Sequence, residues 1–346
     1  MRRTTRSRHR EHSSRMARTA KSKLPGHALA VDMGASHIRW ALADADAQIV
    51  EERRESVHGD GASAVVDQIR EGIVQLLQKP RPGELLGIAI GVPGGVDPRN
   101  GKIVDANNVP GWREVDMGGE LEQRFGCPVY LDNDANMAAI GEHWRGIAKG
   151  IDDFVFIALG TGIGSGLFLD GQLRRGHAGF AGELFRMNLD WNRWEEDFPD
   201  SGYLEAHVSG VGLASEGRKL LSGGNGVSSS TGTENRDARF VFDAFRAGDA
   251  SAQRLIEKSF TMLGVAVANL VCVLDPELIV LNGGLVRGAP ELLLQRVNKV
   301  MERIHPRPPR IALSELGDKA QIWGALATVL EPHNAIRARH SGVAGR

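Results

Sequence analysis

One pattern limits how this chain can fold more than any other, and it occurs twice: an apolar strand, a glycine-bearing turn, then a second strand. Ala28-Leu29-Ala30-Val31 reads as a buried strand, Asp32-Met33-Gly34-Ala35-Ser36 as a turn, and His37 to Ala43 as an alternating strand. Further on, Phe154 to Leu159 leads into Gly160-Thr161-Gly162-Ile163-Gly164-Ser165-Gly166 and then Leu167 to Asp170. A dinucleotide-binding fingerprint must open a helix, and here a strand follows each glycine run. No G-x-x-x-x-G-K-[ST] loop is present either. What remains is a pair of hairpin turns whose backbone N–H groups can wrap phosphate oxygens, since glycine lets the backbone approach closely. Either turn alone reads as an ordinary hairpin. Together, with an Asp leading the first and a later strand ending in Gly283-Gly284, they point to a phosphate site.

Between the halves, the strand Pro128 to Leu131 runs into Asp132-Asn133-Asp134, and a helix-forming run begins at Ala135. The positive end of a helix favours a carboxylate there. Asp134 or Asp132 can therefore be a helix cap, or Asp134 can be a working base, and this stretch alone leaves both open. A calcium loop is excluded, because Met137 and His143 stand where Gly and Glu are needed.

The remaining strands are read at Gln48 to Arg54, Leu86 to Gly91, Leu278 to Leu281 and Arg310 to Leu313. Helices are read at Ser63 to Leu77, Met117 to Phe125, Tyr203 to Leu221, Phe240 to Arg246, Ala252 to Leu274, Pro290 to Ile304 and Ala320 to Leu330. Gly101 to Trp112 reads as irregular. The 346 residues, 42% of them hydrophobic, are enough for two domains. Cys127 and Cys272 sit in apolar runs and read as core residues of a reducing, cytoplasmic compartment. The longest apolar run, Leu263 to Leu274, is too short to span a bilayer. Residues 1–27 carry nine basic groups against Glu11, a net +8, with almost no large apolar side chain. They read as a disordered basic tail whose nucleic-acid binding would be non-specific charge attraction.

Seven ordered motifs carry a family resemblance: Val31-Asp32-Met33-Gly34-Ala35-Ser36, Pro93-Gly94-Gly95-Val96-Asp97, Asn108-Val109-Pro110-Gly111-Trp112, Asn133-Asp134-Ala135-Asn136, Leu159-Gly160-Thr161-Gly162-Ile163-Gly164, Ala181-Gly182-Glu183 and Asn282-Gly283-Gly284. In order and spacing they are similar to those of the ROK family of bacterial sugar kinases and repressors. The resemblance runs from about Leu29 to Leu330. It implies an α/β, actin-like (ribonuclease H-like) sugar-kinase fold with the active site between two α/β domains, and a homodimer. The expected division is a tail at 1–27, a small domain at 28–132 joined by a C-terminal helix at 318–332, a large domain at 133–317, and a flexible tail at 333–346.

Carried over by position, the resemblance implies that Asp134 is the general base and that Gly94, Gly95, Asn108, Asn133, Glu183 and Glu205 line the sugar pocket. Asp32, Gly34, Ser36 and His37 would form the first phosphate turn, with Asp32 near Mg²⁺. Gly160, Thr161 and Gly162 would form the second, and Gly283 and Gly284 the adenosine turn of an ATP site. The family's zinc motif, one His and three Cys, is missing here: Glu183 is followed by Leu184-Phe185-Arg186, and no Cys or His lies between Ala181 and Glu205. No zinc site is therefore expected. The aromatic segment Trp191 to Phe198 is expected to pack where metal would have tied the loop, and Arg186 takes a substrate-facing position or pairs with Glu183. Three functions stay open: a Mg²⁺-dependent ATP kinase of a hexose, hexosamine or sugar-like cyclitol; a sugar-sensing regulator, for which 27 tail residues cannot supply a winged helix; and a weakly catalytic sugar-binding relative.

Overall fold

The structure is a computed structural model that describes residues 26–34, 36–58, 61–105, 112–196, 198, 202–221 and 237–331. The first half comprises β1 (Gly26–Met33), β2 (His37–Asp44), β3 (Ile49–Ser56), α1 (Ala62–Leu77), β4 (Glu84–Val92), the short strands β5 (Gly95–Asp97), β6 (Lys102–Asp105) and β7 (Arg113–Val115), α2 (Met117–Phe125) and β8 (Val129–Asn133). There follow α3 (Asp134–Arg145), β9 (Phe154–Leu159), β10 (Ile163–Leu169), β11 (Gln172–Arg174), α4 (Tyr203–Val208), α5 (Gly210–Leu221), α6 (Arg239–Arg246) and α7 (Ala250–Leu274). The chain ends with β12 (Leu278–Asn282), α8 (Gly284–Gly288), α9 (Pro290–Ile304), β13 (Arg310–Leu313) and α10 (Ala320–Leu330).

The repeated pattern in the sequence becomes two sheets of the same design. One runs β3-β2-β1-β4-β8, the other β11-β10-β9-β12-β13. In each, three strands are antiparallel and the last two are added in parallel. The parallel strands of the first sheet finish level with one another, with Asp32 beside Gly91 and Gly91 beside Asp132. Side chains at such carboxyl ends face the crevice where ligands bind in open α/β sheets.

Alternation along β1 explains the layering. Leu29, Val31 and Met33 join the core with α1 on one face, while Ala28 and Ala30 face α10 on the other. Helix α3 covers the inner face of the second sheet through Ala135, Ala138 and Ala139 against Phe154, Phe156 and Phe168. Helices α3 and α10 thus lie against each other between the sheets. A methyl at Gly324 would overlap the Met137 carbonyl, and one at Gly141 the Ala320 carbonyl, so the two backbones touch directly.

Several expectations change. Gly101 to Trp112 is not wholly irregular, since β6 lies within it and pairs with β5 and β7. Tyr203 to Leu221 is two helices, broken at Ser209, whose backbone is extended; the apolar spacing carries across the one-residue break and hides it in the sequence. The second glycine turn is shorter than expected, with β10 starting at Ile163. Cys272 is exposed, not core. Helix α7 has 25 residues, so by length and composition it could cross a membrane. Yet Leu255, Ile256, Phe260, Leu263, Val267 and Val271 place one whole face in the largest apolar core. That is the pattern of a core helix.

Candidate active site

The N-terminus of α3 is capped by Asn133, not by Asp134 or Asp132. Asn133 has extended backbone angles, and its Oδ1 accepts from Ala135 N (2.9 Å) and Asn136 N (3.3 Å). Its Nδ2 donates to the Gly94 carbonyl at 3.0 Å, which fixes the Pro93-Gly94 turn against the helix. Asp134 is thereby the first helical residue, with one oxygen accepting from Ala135 N at 2.8 Å. Burial pushes its carboxyl up to about 7, with the neighbouring Asp32 and Glu183 charges adding to the rise and the Ala135 N–H opposing it. A carboxylate with that affinity can take a proton at neutral pH.

Asp32, at the end of β1, is 7% exposed. Burial also raises it, to about 6, against the pull of Arg39, whose Nε is 3.8 Å away. Asp318 faces it as well and raises it further. Asp318 is itself held by Arg287 Nη1 at 3.0 Å, while Arg39 donates to its carbonyl. Asp32 and Asp134 thus form a desolvated acidic pair, and neither Asp318 nor Arg39 carried any local signal in the sequence.

Glu183 and Glu205 are both shifted upward, mainly by burial, and Arg186 opposes both shifts. Arg186 is exposed, with its guanidinium 4.8 Å from the Phe185 ring centroid. Among the described residues it makes no ion pair within 4 Å. Glu205 accepts from Ile163 N at 2.7 Å, immediately after the second glycine turn. A side chain at Gly162 would approach the same carboxylate to 2.5 Å, so glycine there admits Glu205. Phe180 rests on Gly95.

The phosphate-turn candidates are assembled by backbone bonds together with the side chains of Asn282 and Glu205. Gly160 N donates to Gly162 O at 3.0 Å, and Gly210 N and Val211 N donate to the carbonyls of Gly160 and Thr161. Gly283, at φ 119°, is pressed on the Leu159 carbonyl, and its Asn282 neighbour bonds Gly317 O at 2.9 Å. Open space lies where side chains would stand at Gly160 and Gly284. These surfaces fit a passing phosphate chain and nucleoside, and the buried Asp32 carboxylate fits a Mg²⁺ held by one protein carboxylate plus phosphate oxygens. In the first turn Gly34 N bonds His37 O at 2.9 Å, while Ser36 Oγ and His37 Nδ1 pair with each other at 2.9 Å. No contact among the described residues ties them to Asp134. Asn108 lies outside the described residues.

The aromatic segment behaves differently from the expectation. Trp191 and Trp194, at the start of a one-turn helix and just after its end, are 81% and 73% exposed. Arg193 lies over Tyr203 and Phe198, bonds Glu196, and meets His207 Nε2 at 3.3 Å.

Twin five-stranded sheets of the same strand design, joined through the packed helices α3 and α10, define an actin-like sugar-kinase fold. The sequence matches the ROK family over residues 28–331, and the chain belongs to that family. It is 30% identical to a glucokinase of Thermotoga maritima, over 88% of this chain and 97% of that one. It is 28% identical to a xylose repressor of Caldicellulosiruptor bescii, over 88% of this chain and 78% of the repressor. The structure of a ROK family glucokinase from Streptomyces griseus, in complex with glucose and AMPPNP, superposes with a TM-score of 0.70 at 26% identity, covering 88% of this chain and 99% of that one.

Proposed function

We propose that the chain is an ATP-dependent kinase that places the γ-phosphoryl group on a hydroxyl, the 6-hydroxyl, of a hexose, hexosamine or sugar-like cyclitol. The carrying observation is Asp134, relieved of capping by Asn133 and desolvated beside Asp32, with a proton affinity near neutrality. Its carboxylate takes the proton of the attacking hydroxyl as that oxygen moves in line onto phosphorus. Asn133, Glu183 and Glu205, with Gly94 and Gly95 as the pocket floor, hold the other hydroxyls. Gly160, Thr161, Gly162, Gly283 and Gly284 receive the nucleotide, and Asp32 would hold Mg²⁺, which neutralises phosphate charge when bound. Further parts of the proposal are a zinc-free loop held by Arg193, a homodimeric and cytoplasmic protein, and a domain division at 28–132 with 318–332 and at 133–317. The similarity to glucokinases supports the kinase reading. The test is a sugar panel with coupled ADP detection, and turnover of a hexose or relative is expected.

The xylose-repressor match supports a second reading, a sugar-sensing regulator. It predicts sugar binding without ADP release, together with sequence-specific DNA binding. Salt-sensitive, sequence-blind binding would not support it, because a +8 tail does that by charge alone.

A further inference from the structure

A buried ion pair crosses between the two halves beside the candidate base. Arg175, just after β11 of the second sheet, places Nε 2.6 Å from Oδ2 of Asp132, in β8 of the first sheet, and the two side chains are 11% and 5% exposed. The other Asp132 oxygen accepts from Asn133 N and from Asn136 Nδ2, both at 2.8 Å. Asp132 is thus bonded to the residues on both sides of Asp134. At the other end of the pair, Ala181 N donates to the Arg175 carbonyl at 3.1 Å, and Ser165 Oγ donates to the Gly182 carbonyl. The loop from 175 to 182, which delivers Glu183, is therefore closed on itself and pinned at both ends.

A buried ion pair contributes little net stability compared with apolar groups of the same size. Its fixed geometry is the more informative property, because the planar guanidinium holds its partner in one orientation. We propose that Arg175 is a positioning residue of the acceptor site: its pair with Asp132 fastens the loop bearing Glu183 to the turn bearing Asp134, and so fixes the spacing of the base and one of the carboxylates that hold the acceptor. This rests on the kinase reading for its catalytic meaning, but the fastening can be measured without turnover.

The test uses Arg175→Met combined with Asp132→Asn. The pair removes both charges, while Asn keeps an acceptor for Asn133 N and Asn136, so no lone buried charge remains to unfold the protein. The expected result is a melting temperature near the parent's and a KM for the sugar raised about tenfold or more, as loss of alignment costs. KM for ATP should be unchanged, and amide exchange across residues 176–182 should be faster. Arg175→Lys, which keeps charge but not the planar fork, should fall between parent and double variant. A double variant with parental sugar KM and parental exchange would overturn the proposal. If the parent turns over no sugar, the kinase reading fails, and the exchange measurement alone then decides for or against the fastening.

Discussion

The proposed acceptor side and the proposed nucleotide side of the site are built by different means. Around Asp134, side chains do the holding: Asn133 caps the helix and grips Gly94, Asp132 takes Arg175, and Ser165 takes Gly182. Around Gly160 and Gly283 the main chain does more of the holding, through Gly160 N on Gly162 O and Gly210 N on Gly160 O, with the Asn282 and Glu205 side chains bracing the turns at Gly283 N and Ile163 N. In the proposed kinase the first arrangement would meet hydroxyls with placed donors and acceptors, so its selectivity should change with one residue. The second would take the nucleotide on the open surface beside Gly160 and Gly284, so a change of shape there should spoil it.

Substitutions on each side should therefore fail differently. The largest effect is expected from Asp134→Asn, which removes the proton acceptor and should lower kcat by about 10²-fold or more, measured by ADP release. The same change should raise stability at pH 8. A carboxyl whose folded value is about 7, against an ordinary 3.8, stabilises the fold only while protonated, and that contribution is lost as pH rises from about 4 through 7. Calorimetry at pH 8 should show the Asn variant melting higher by roughly 2 °C or more. A variant that melts lower and stays active would make Asp134 a structural residue.

On the nucleotide side, Gly283→Ala forces a methyl against the Leu159 carbonyl at a φ of 119°. KM for ATP should rise about tenfold, on the order of 1.4 kcal/mol, with KM for the sugar little changed. Equal rises in both would dissolve the comparison. Next in size is the pH profile. In the parent, kcat/KM should fall on the acid side with an apparent pKa near 7, since the base works only when ionised.

The smallest effect tests the link between the two sides. Glu205 touches both, because its carboxylate accepts from Ile163 N at the end of the glycine turn. Glu205→Gln should weaken that bond and raise both KM values by a few-fold, about 0.5–1 kcal/mol each, without the selectivity of the other variants. A change confined to the sugar would show that the Ile163 bond carries nothing to the nucleotide turn.

How much of this was legible depended on the range of the interaction. Apart from the three-residue edge strand β11, the strands of both large sheets follow local alternation and apolar runs, and the glycine turns follow from residue type, so they could be read directly. Strands β5 and β7 have three residues each and hardly alternate, so β5–β6–β7 could not. The motif placed Asp134, but the division of labour with Asn133 depends on backbone angles. The Arg175–Asp132 pair spans 43 positions, and no local pattern announces it. Trp191 and Trp194 misled because apolar character says that burial is favourable, not that a neighbour is within reach.

The glycine crossing of α3 and α10 has a mechanical consequence. Helices normally meet by meshing ridges of side chains into grooves, and turning one against the other must lift each tooth from its notch. At Gly141 and Gly324 there are no teeth, only two smooth shafts in contact. Side chains such as Met137, Ile140, Ile322 and Leu326 mesh only around this bare point, so the two helices come closest where no side chain stands between them. Adding a single methyl at Gly324 would push the shafts apart and set a new resting angle, like a shim in a bearing.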